Sequence, residues 1–190
     1  MTLRLHSFME YSTVNGPGRR AVIWTQGCSL QCPGCWNPQT HNPLLGFRRE
    51  VPEVVEWLSK LGRENSIEGL TISGGEPMEQ APAVLELLHQ LKAATPALSV
   101  GLFSGYSERE LHSTDWLAIR SHLDFAVLGR YNPRRPGTNA MVSSTTQTLH
   151  LYTSRYSMAD FAEQSVEIQI DDTGLTQVTG FPILGSPVLD

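Results

Sequence analysis

The residues with the clearest capacity for chemistry are Cys28, Cys32 and Cys35 in "CSLQCPGCWN", which hold every thiol of the 190-residue chain in a C-x3-C-x2-C pattern. Thiols grouped this closely in a reducing compartment bind metal or do redox work, because structural disulfides are rare there. A disulfide between such near neighbours would close a very small loop and leave a third thiol over. Two metal readings follow. A structural zinc ion takes four ligands, and His41 could complete the tetrahedron, although the paired C-x2-C knuckles of many zinc sites are absent. An iron–sulfur cluster also takes four protein ligands as a rule. Three thiolates on a 4Fe-4S cube would leave one iron open to a small molecule, much as a catalytic metal keeps an open position. Pro33 and Gly34 allow the tight turning that lets three thiolates face one centre. Spacing alone does not choose between zinc and iron–sulfur.

The second constellation is "SGGEP", with Gly74, Gly75, Glu76 and Pro77. Glycines permit close backbone approach, and a carboxylate beside them can accept from a cationic amino group. Read plainly, the same five residues are a strand-to-helix turn with an acid at the helix start. Trp36 can cover a neighbouring group or simply pack, and Asn37 reads as a cap for the next turn. Ser104 stands at a strand end before Gly105 and Tyr106, where a hydroxyl serves a ligand or the turn itself. Arg130, Arg134 and Arg135 form a basic group able to meet an anionic substrate or partner, or simply water. The histidines are scattered and suggest no catalytic role.

The elements that must position these residues are legible from periodicity. "RRAVIWTQG" is a nearly continuous apolar run ending at Gly, as a buried strand is. "VPEVVEWLSKLG" spaces Val51, Val54, Val55, Leu58 and Leu61 as a helix does. "EGLTIS", "LSVGLFSGY" and "DFAVLG" are further strands, and "QAPAVLELLHQLKAA" is a second helix. The Ser-x-x-Glu of "SERE" (Ser107–Glu110) predicts a helix start there. Beyond the fourth strand, "QTLHLY", "SVEIQID" and "TQVTGFP" are β-type runs. Strands alternating with helices imply βαβ units and a mainly parallel sheet. Four such units are too few for a closed eight-stranded barrel. The expectation is therefore an α/β fold, an open partial (β/α) barrel with a β-rich C-terminal segment and a lateral mouth left open over the cysteine loop. Ligand loops in such sheets lie at the carboxyl ends of the strands, where both motifs fall.

Composition narrows the function. Charged residues make up 17% of the chain and apolar ones 40%, a globular balance in which one domain is the simplest reading. A net charge of −5 without basic runs argues against nonspecific nucleic-acid binding. The N-terminus lacks a signal-peptide core, and no apolar run is long enough to span a membrane. The expectation is a cytoplasmic protein with neither nucleic acid nor membrane as a partner.

The cysteine motif after the first strand, followed by "SGGEP" after the next strand–helix unit, resembles the radical S-adenosylmethionine (radical SAM) enzymes. "VNGPGRRAVIWTQGCSLQCPGCWNPQT" is similar to glycyl-radical-enzyme activases, and "CPGCWN", "FSGY" and "GRYNPRRPG" look most like the anaerobic ribonucleotide reductase activating proteins. The similarity runs from about Ser12 to Tyr152, with a C-terminal extension from about residue 153 to 190. It departs where activases often carry an Asp, here Leu128, and where a Gly-Ser-x-Asn-Gln-like stretch is reduced to "SSTTQ" (Ser143–Gln147). The resemblance implies one radical SAM domain spanning residues 1–190, an oxidoreductase whose Cys28, Cys32 and Cys35 ligate a 4Fe-4S cluster. It also implies that Glu76 receives the SAM ammonium beside Gly74, Gly75 and Pro77. For SAM binding Trp36 and Ser104 are candidates, Trp36 by covering the cluster or stacking on adenine or else only packing, Ser104 by reaching the SAM carboxylate or ribose or else serving the turn. A low-potential donor such as a flavodoxin or ferredoxin would reduce the cluster. The substrate would be a glycine of a glycyl-radical enzyme, with a peptide or small molecule as the alternative. A non-catalytic zinc-binding interaction domain is the competing class.

Overall fold

The computed structural model describes residues 1–64, 66–139, 141–162, 165–170, 172–174 and 176–181. In chain order the elements are β1 (Thr2–Ser12), β2 (Arg20–Thr25), β3 (Phe47–Glu50), α1 (Val51–Arg63), β4 (Gly69–Gly74) and α2 (Ala81–Ala94). They continue with β5 (Ser99–Ser104), α3 (Thr114–Arg120), β6 (Phe125–Leu128), β7 (Pro136–Asn139), β8 (Val142–Ser144), β9 (Thr148–Leu151), β10 (Val166–Ile170) and β11 (Thr176–Gly180).

One sheet organises the chain, in the order β3-β1-β2-β4-β5-β6-β9. Its centre, β2-β4-β5-β6, is parallel. β1, β3 and β9 add antiparallel borders. β7–β8 and β10–β11 are separate two-stranded ribbons.

The parallel strands are apolar at nearly every position because both of their faces are covered. Leu70, Ile72, Val100, Leu102, Ala126 and Leu128 pack on the helices through Val54, Leu58, Val84, Leu87, Trp116 and Ile119. The alternate residues face the other way. There Phe125 and Val127 meet Met141 and Phe161, with Phe103, Tyr156 and Phe181 packed around them. The helix-free face is thus covered at this end by residues from the C-terminal segment, where an open mouth was expected. Aromatic side chains occupy that face.

Arg20 also lies on this face, fully buried. It donates to Thr71 Oγ1 (2.8 Å), Ser99 Oγ (2.7 Å), Tyr156 Oη (3.2 Å) and the carbonyls of Pro17 and Leu70. Its guanidinium lies 5.1 Å from the Phe125 ring centroid. Burial lowers its pKa, and Tyr156 and Asp124 act in the opposite direction.

Two further differences from expectation have local causes. "SERE" forms a turn, not a helix start. Glu110 does reach back to the Ser107 N–H (2.9 Å), but it also binds Arg130 (2.8 Å), and the backbone does not continue helically. α3 starts later, at Thr114, where Ser113 Oγ accepts from the Trp116 N–H (3.1 Å). β1 is not evident in the sequence because register shifts between Leu5 and Ser7 and between Met9 and Ser12 break its alternation.

Candidate active site

The cysteine loop leaves β2 at Gly27 and is closed at its base by two backbone bonds. Gly27 N donates to Thr40 O (2.7 Å) and Cys28 N to His41 O (3.2 Å). Inside the loop Gln31 and Gly34 take left-handed conformations (φ 45° and 69°), and Cys35 N donates to Cys32 O (3.1 Å). All three cysteines are free and half-buried. Burial pushes the Cys28 and Cys35 thiols up. Backbone N–H groups oppose that rise, those of Leu30 and Gln31 at Cys28 and that of Asn37 at Cys35. Asn37 precedes the short 3-10 turn Pro38–Thr40, but its side chain makes no capping bond. Its carbonyl accepts from Thr40 Oγ1 instead (2.7 Å).

The "GGEP" loop lies directly against this base. Gly75 N donates to Thr25 O and Glu76 N to Gly27 O, both at 2.8 Å. A Cβ at Gly74 would overlap the Thr25 backbone, and one at Gly75 would overlap Gly27 O. Only glycine permits this approach. Glu76 is fully buried. It accepts from Met78 N (2.9 Å), Ser104 Oγ (2.8 Å) and Gly105 N (2.8 Å). Burial outweighs these bonds and raises its pKa to about 7. Ser104 Oγ in turn accepts from Tyr106 N (3.1 Å), so the hydroxyl serves both the turn and Glu76. Pro77 opens the short turn that follows Glu76. Glu79, not singled out in the sequence, accepts from Ser29 N (2.8 Å) and Oγ (2.6 Å) and ties the cysteine loop to that turn. Its acidity at a helical start was the only available signal.

The exits of β5 and β6 form the other wall. Trp36 meets Tyr131 edge-on at 5.7 Å between centroids and Phe181 at 5.9 Å. A Cβ at Gly34 would lie 3.0 Å from Pro133 Cγ, and one at Gly105 would lie 2.5 Å from Leu30 Cδ1. Arg130 pairs with Glu110 (2.8 Å) and lies 5.7 Å from the Tyr106 centroid. Hydrogen bonds from Arg130 and Ser107 hold Glu110 down at about 2. Arg134 and Arg135 are exposed and form no ion pair among the described residues. The basic trio is therefore split, with Arg130 engaged at the wall.

Among the described residues, no three His, Cys, Asp or Glu side chains converge on a point suited to one metal ion. The family described as "4Fe-4S single cluster domain" matches residues 14–150, which takes in the cysteine loop, the "GGEP" loop and the exits of β5 and β6. The chain belongs to that family. It is 31% identical over 157 residues to the anaerobic ribonucleoside-triphosphate reductase-activating protein of Vibrio cholerae, covering 80% of this chain and 99% of that protein. The protein of the same name from Enterobacteria phage T4 is 30% identical over 138 residues, 72% of this chain and 86% of its own length. The pyruvate formate-lyase-activating enzyme of Listeria monocytogenes is 38% identical over 137 residues, covering 70% of this chain and 55% of that protein.

These relationships make the chain a radical SAM enzyme of the activase group, with a 4Fe-4S cluster and SAM as its cofactors. The zinc reading falls. The donor set fits the cluster on its own chemistry: three free thiols on one clamped loop, with backbone N–H groups directed at two of the sulfurs. Hydrogen bonds to sulfur are among the features that tune iron–sulfur centres.

Proposed function

We propose that this 4Fe-4S single-cluster-domain protein activates a partner enzyme by removing a hydrogen atom from one of its glycines. The reading rests on one observation: the Glu76 N–H bonds the carbonyl of Gly27, the residue before the first cysteine (2.8 Å). That bond holds a thiolate loop and a glycine–carboxylate loop side by side at the carboxyl edge of the parallel strands. When bound and reduced, the cluster supplies the electron that cleaves SAM to methionine and the hydrogen-abstracting 5′-deoxyadenosyl radical.

Cys28, Cys32 and Cys35 would hold the cluster through their thiolates, leaving a coordination position that no cysteine of the chain fills. Gly74 and Gly75 bring the Glu76 loop against the base of the cysteine loop, where their backbone would line the SAM site. Glu76 would receive the SAM ammonium, and Pro77 fixes the turn. Ser104 orients Glu76 through their 2.8 Å hydrogen bond. Trp36 walls the site toward the β6 exit. The sheet curves as an open partial barrel, and the chain forms one domain of residues 1–190 around it. The hydrogen bonds from Ser12 and Asn15 to Glu167 and Thr179 support inclusion of the C-terminal ribbon. The last residues of that segment, 182–190, lie outside the described residues.

The partner is a glycyl-radical enzyme, by analogy with the reductase and lyase named for the relatives. A flavodoxin or ferredoxin supplies the electron in the cytoplasm. Among the described residues no helix is long and apolar enough to cross a membrane. The deciding experiment reduces the reconstituted protein with dithionite and measures 5′-deoxyadenosine with and without a candidate glycyl-radical enzyme. The expected result is slow release alone, faster release with the partner, and a glycyl-radical EPR signal on the partner. Full turnover on a metabolite with no protein present would overturn the reading.

A further inference from the structure

The family match ends at residue 150, before Tyr156, Phe161 and the β10–β11 ribbon. That ribbon makes a polar contact and an aromatic contact at the same end. Its anchor is polar: Ser12 Oγ and Thr13 N donate to Glu167 Oε2 (2.8 and 3.2 Å), Asn15 Nδ2 to Thr179 Oγ1 (2.9 Å), and Gln169 Nε2 to Tyr11 O (3.1 Å). Beside that anchor, just past β11, lies an aromatic residue. Phe181, held by its N–H to Ser165 O (3.0 Å), stacks on Phe103 at 5.7 Å and 21°. It also touches Trp36 at 5.9 Å.

Both contacts are informative. Phe103 precedes Ser104, whose hydroxyl holds Glu76, and it lies on the sheet face turned away from the helices. Trp36 directly follows Cys35. Phe181 therefore bridges the cysteine loop and β5 on the helix-free side, as a residue from outside the matched family region.

We infer that Phe181 is the access-limiting, specificity-determining side chain of this site. Resting on the activase reading, the inference is that Phe181 shields the Cys35 side of the loop from water and small solutes and yields only to a macromolecular substrate that displaces it. An aromatic contact of this kind adds a modest stabilisation beyond its area burial. That is enough to keep the ring in place and small enough for a protein interface to replace. Exclusion of water is what a radical reaction requires of its site.

The test begins with metal-free protein under anaerobic reducing conditions, using iodoacetamide as the probe and mass spectrometry to follow each cysteine. Phe181→Ala should accelerate Cys35 alkylation several-fold relative to Cys28 and Cys32. Phe181→Tyr should restore the wild-type rate. Glu167→Ala, which loosens the anchor without touching the rings, should act in the same direction as Phe181→Ala. In the loaded protein, iron release to a chelator should rise in both Ala variants. Wild-type alkylation and iron-release rates in both folded variants would overturn the inference. Equal acceleration at all three cysteines, tracking a loss of melting cooperativity, would also overturn it, by making Phe181 a packing residue alone. A wild-type protein that never cleaves SAM would instead sink the activase reading and leave the alkylation result standing.

Discussion

Glu76 accepts three hydrogen bonds at full burial and still has a pKa near 7, with burial as the leading cause. A carboxylate offers about four lone-pair sites, so one position remains for a donor such as the SAM ammonium. The folded value lies above the ordinary 4.5, so the folded state binds more protons than the unfolded between those values. Without SAM, stability should therefore fall as pH rises from 4.5 to about 7, by up to about 3 kcal/mol. Denaturant melts across that window should show the slope, and Glu76→Gln should flatten it; an unchanged slope in the variant would remove Glu76 from the account. Glu76→Ala should retain iron yet weaken SAM binding by roughly 1.5–3 kcal/mol, read by calorimetry. Replacing Cys28, Cys32 or Cys35 with Ala should abolish the cluster, because the chain has no fourth thiol to substitute. Retention of about four irons in any one of these variants would contradict the ligand assignment. At this scale the sequence was informative wherever residue type dictates chemistry, as with the thiols and the paired glycines. Ser104 was harder to assign. Its target, the Glu76 carboxylate, is 28 positions away and is brought near only by the pairing of β4 with β5.

At the scale of elements, α1 and α2 were readable because each turns an apolar stripe toward the sheet. α3 was misplaced because two serine-led segments competed to start it. At Ser107, Glu110 reaches the Ser107 N–H and also binds Arg130, yet the segment closes only a turn. Ser113 caps the helix instead. Ser113→Ala should therefore destabilise the protein by about 0.5–2 kcal/mol in equilibrium unfolding. Ser107→Ala should cost clearly less, because it removes only one exposed bond at a turn, from Ser107 Oγ to Glu110. The reverse order would restore the earlier helix start. β1 and β3 escaped notice for a different reason. Bulges interrupt one, and the other is a mostly exposed four-residue strand whose partner lies across the sheet edge.

At the scale of the whole molecule, the C-terminal segment completes the face of the sheet that the helices leave uncovered. Tyr156 Oη accepts from Arg20 and donates to Ser99 Oγ at 2.7 Å. Tyr156→Phe should cost about 0.5–1.5 kcal/mol, because it removes hydrogen bonds at Tyr156 while Pro17 O and Ser99 Oγ still receive Arg20 Nη1; unfolding melts would show it, and a loss well above that range would mean that Arg20 depends on Tyr156 alone. Docking belongs to this scale as well. Arg134 and Arg135 are exposed without ion pairs among the described residues, so their joint change to Gln should depress partner-stimulated SAM cleavage at low salt and spare the basal rate. The Arg20–Tyr156 bond also sets a schedule for biosynthesis. Its two residues are 136 positions apart, and at about 5–20 residues per second the arginine is made about 7–27 seconds before its tyrosine. During that interval β2, β4 and β5 can be synthesised, but the guanidinium between them lacks one acceptor. Thr71, Ser99, Pro17 and Leu70 already receive it by then, so Tyr156 arrives as the last side-chain partner when the C-terminal segment closes over that face.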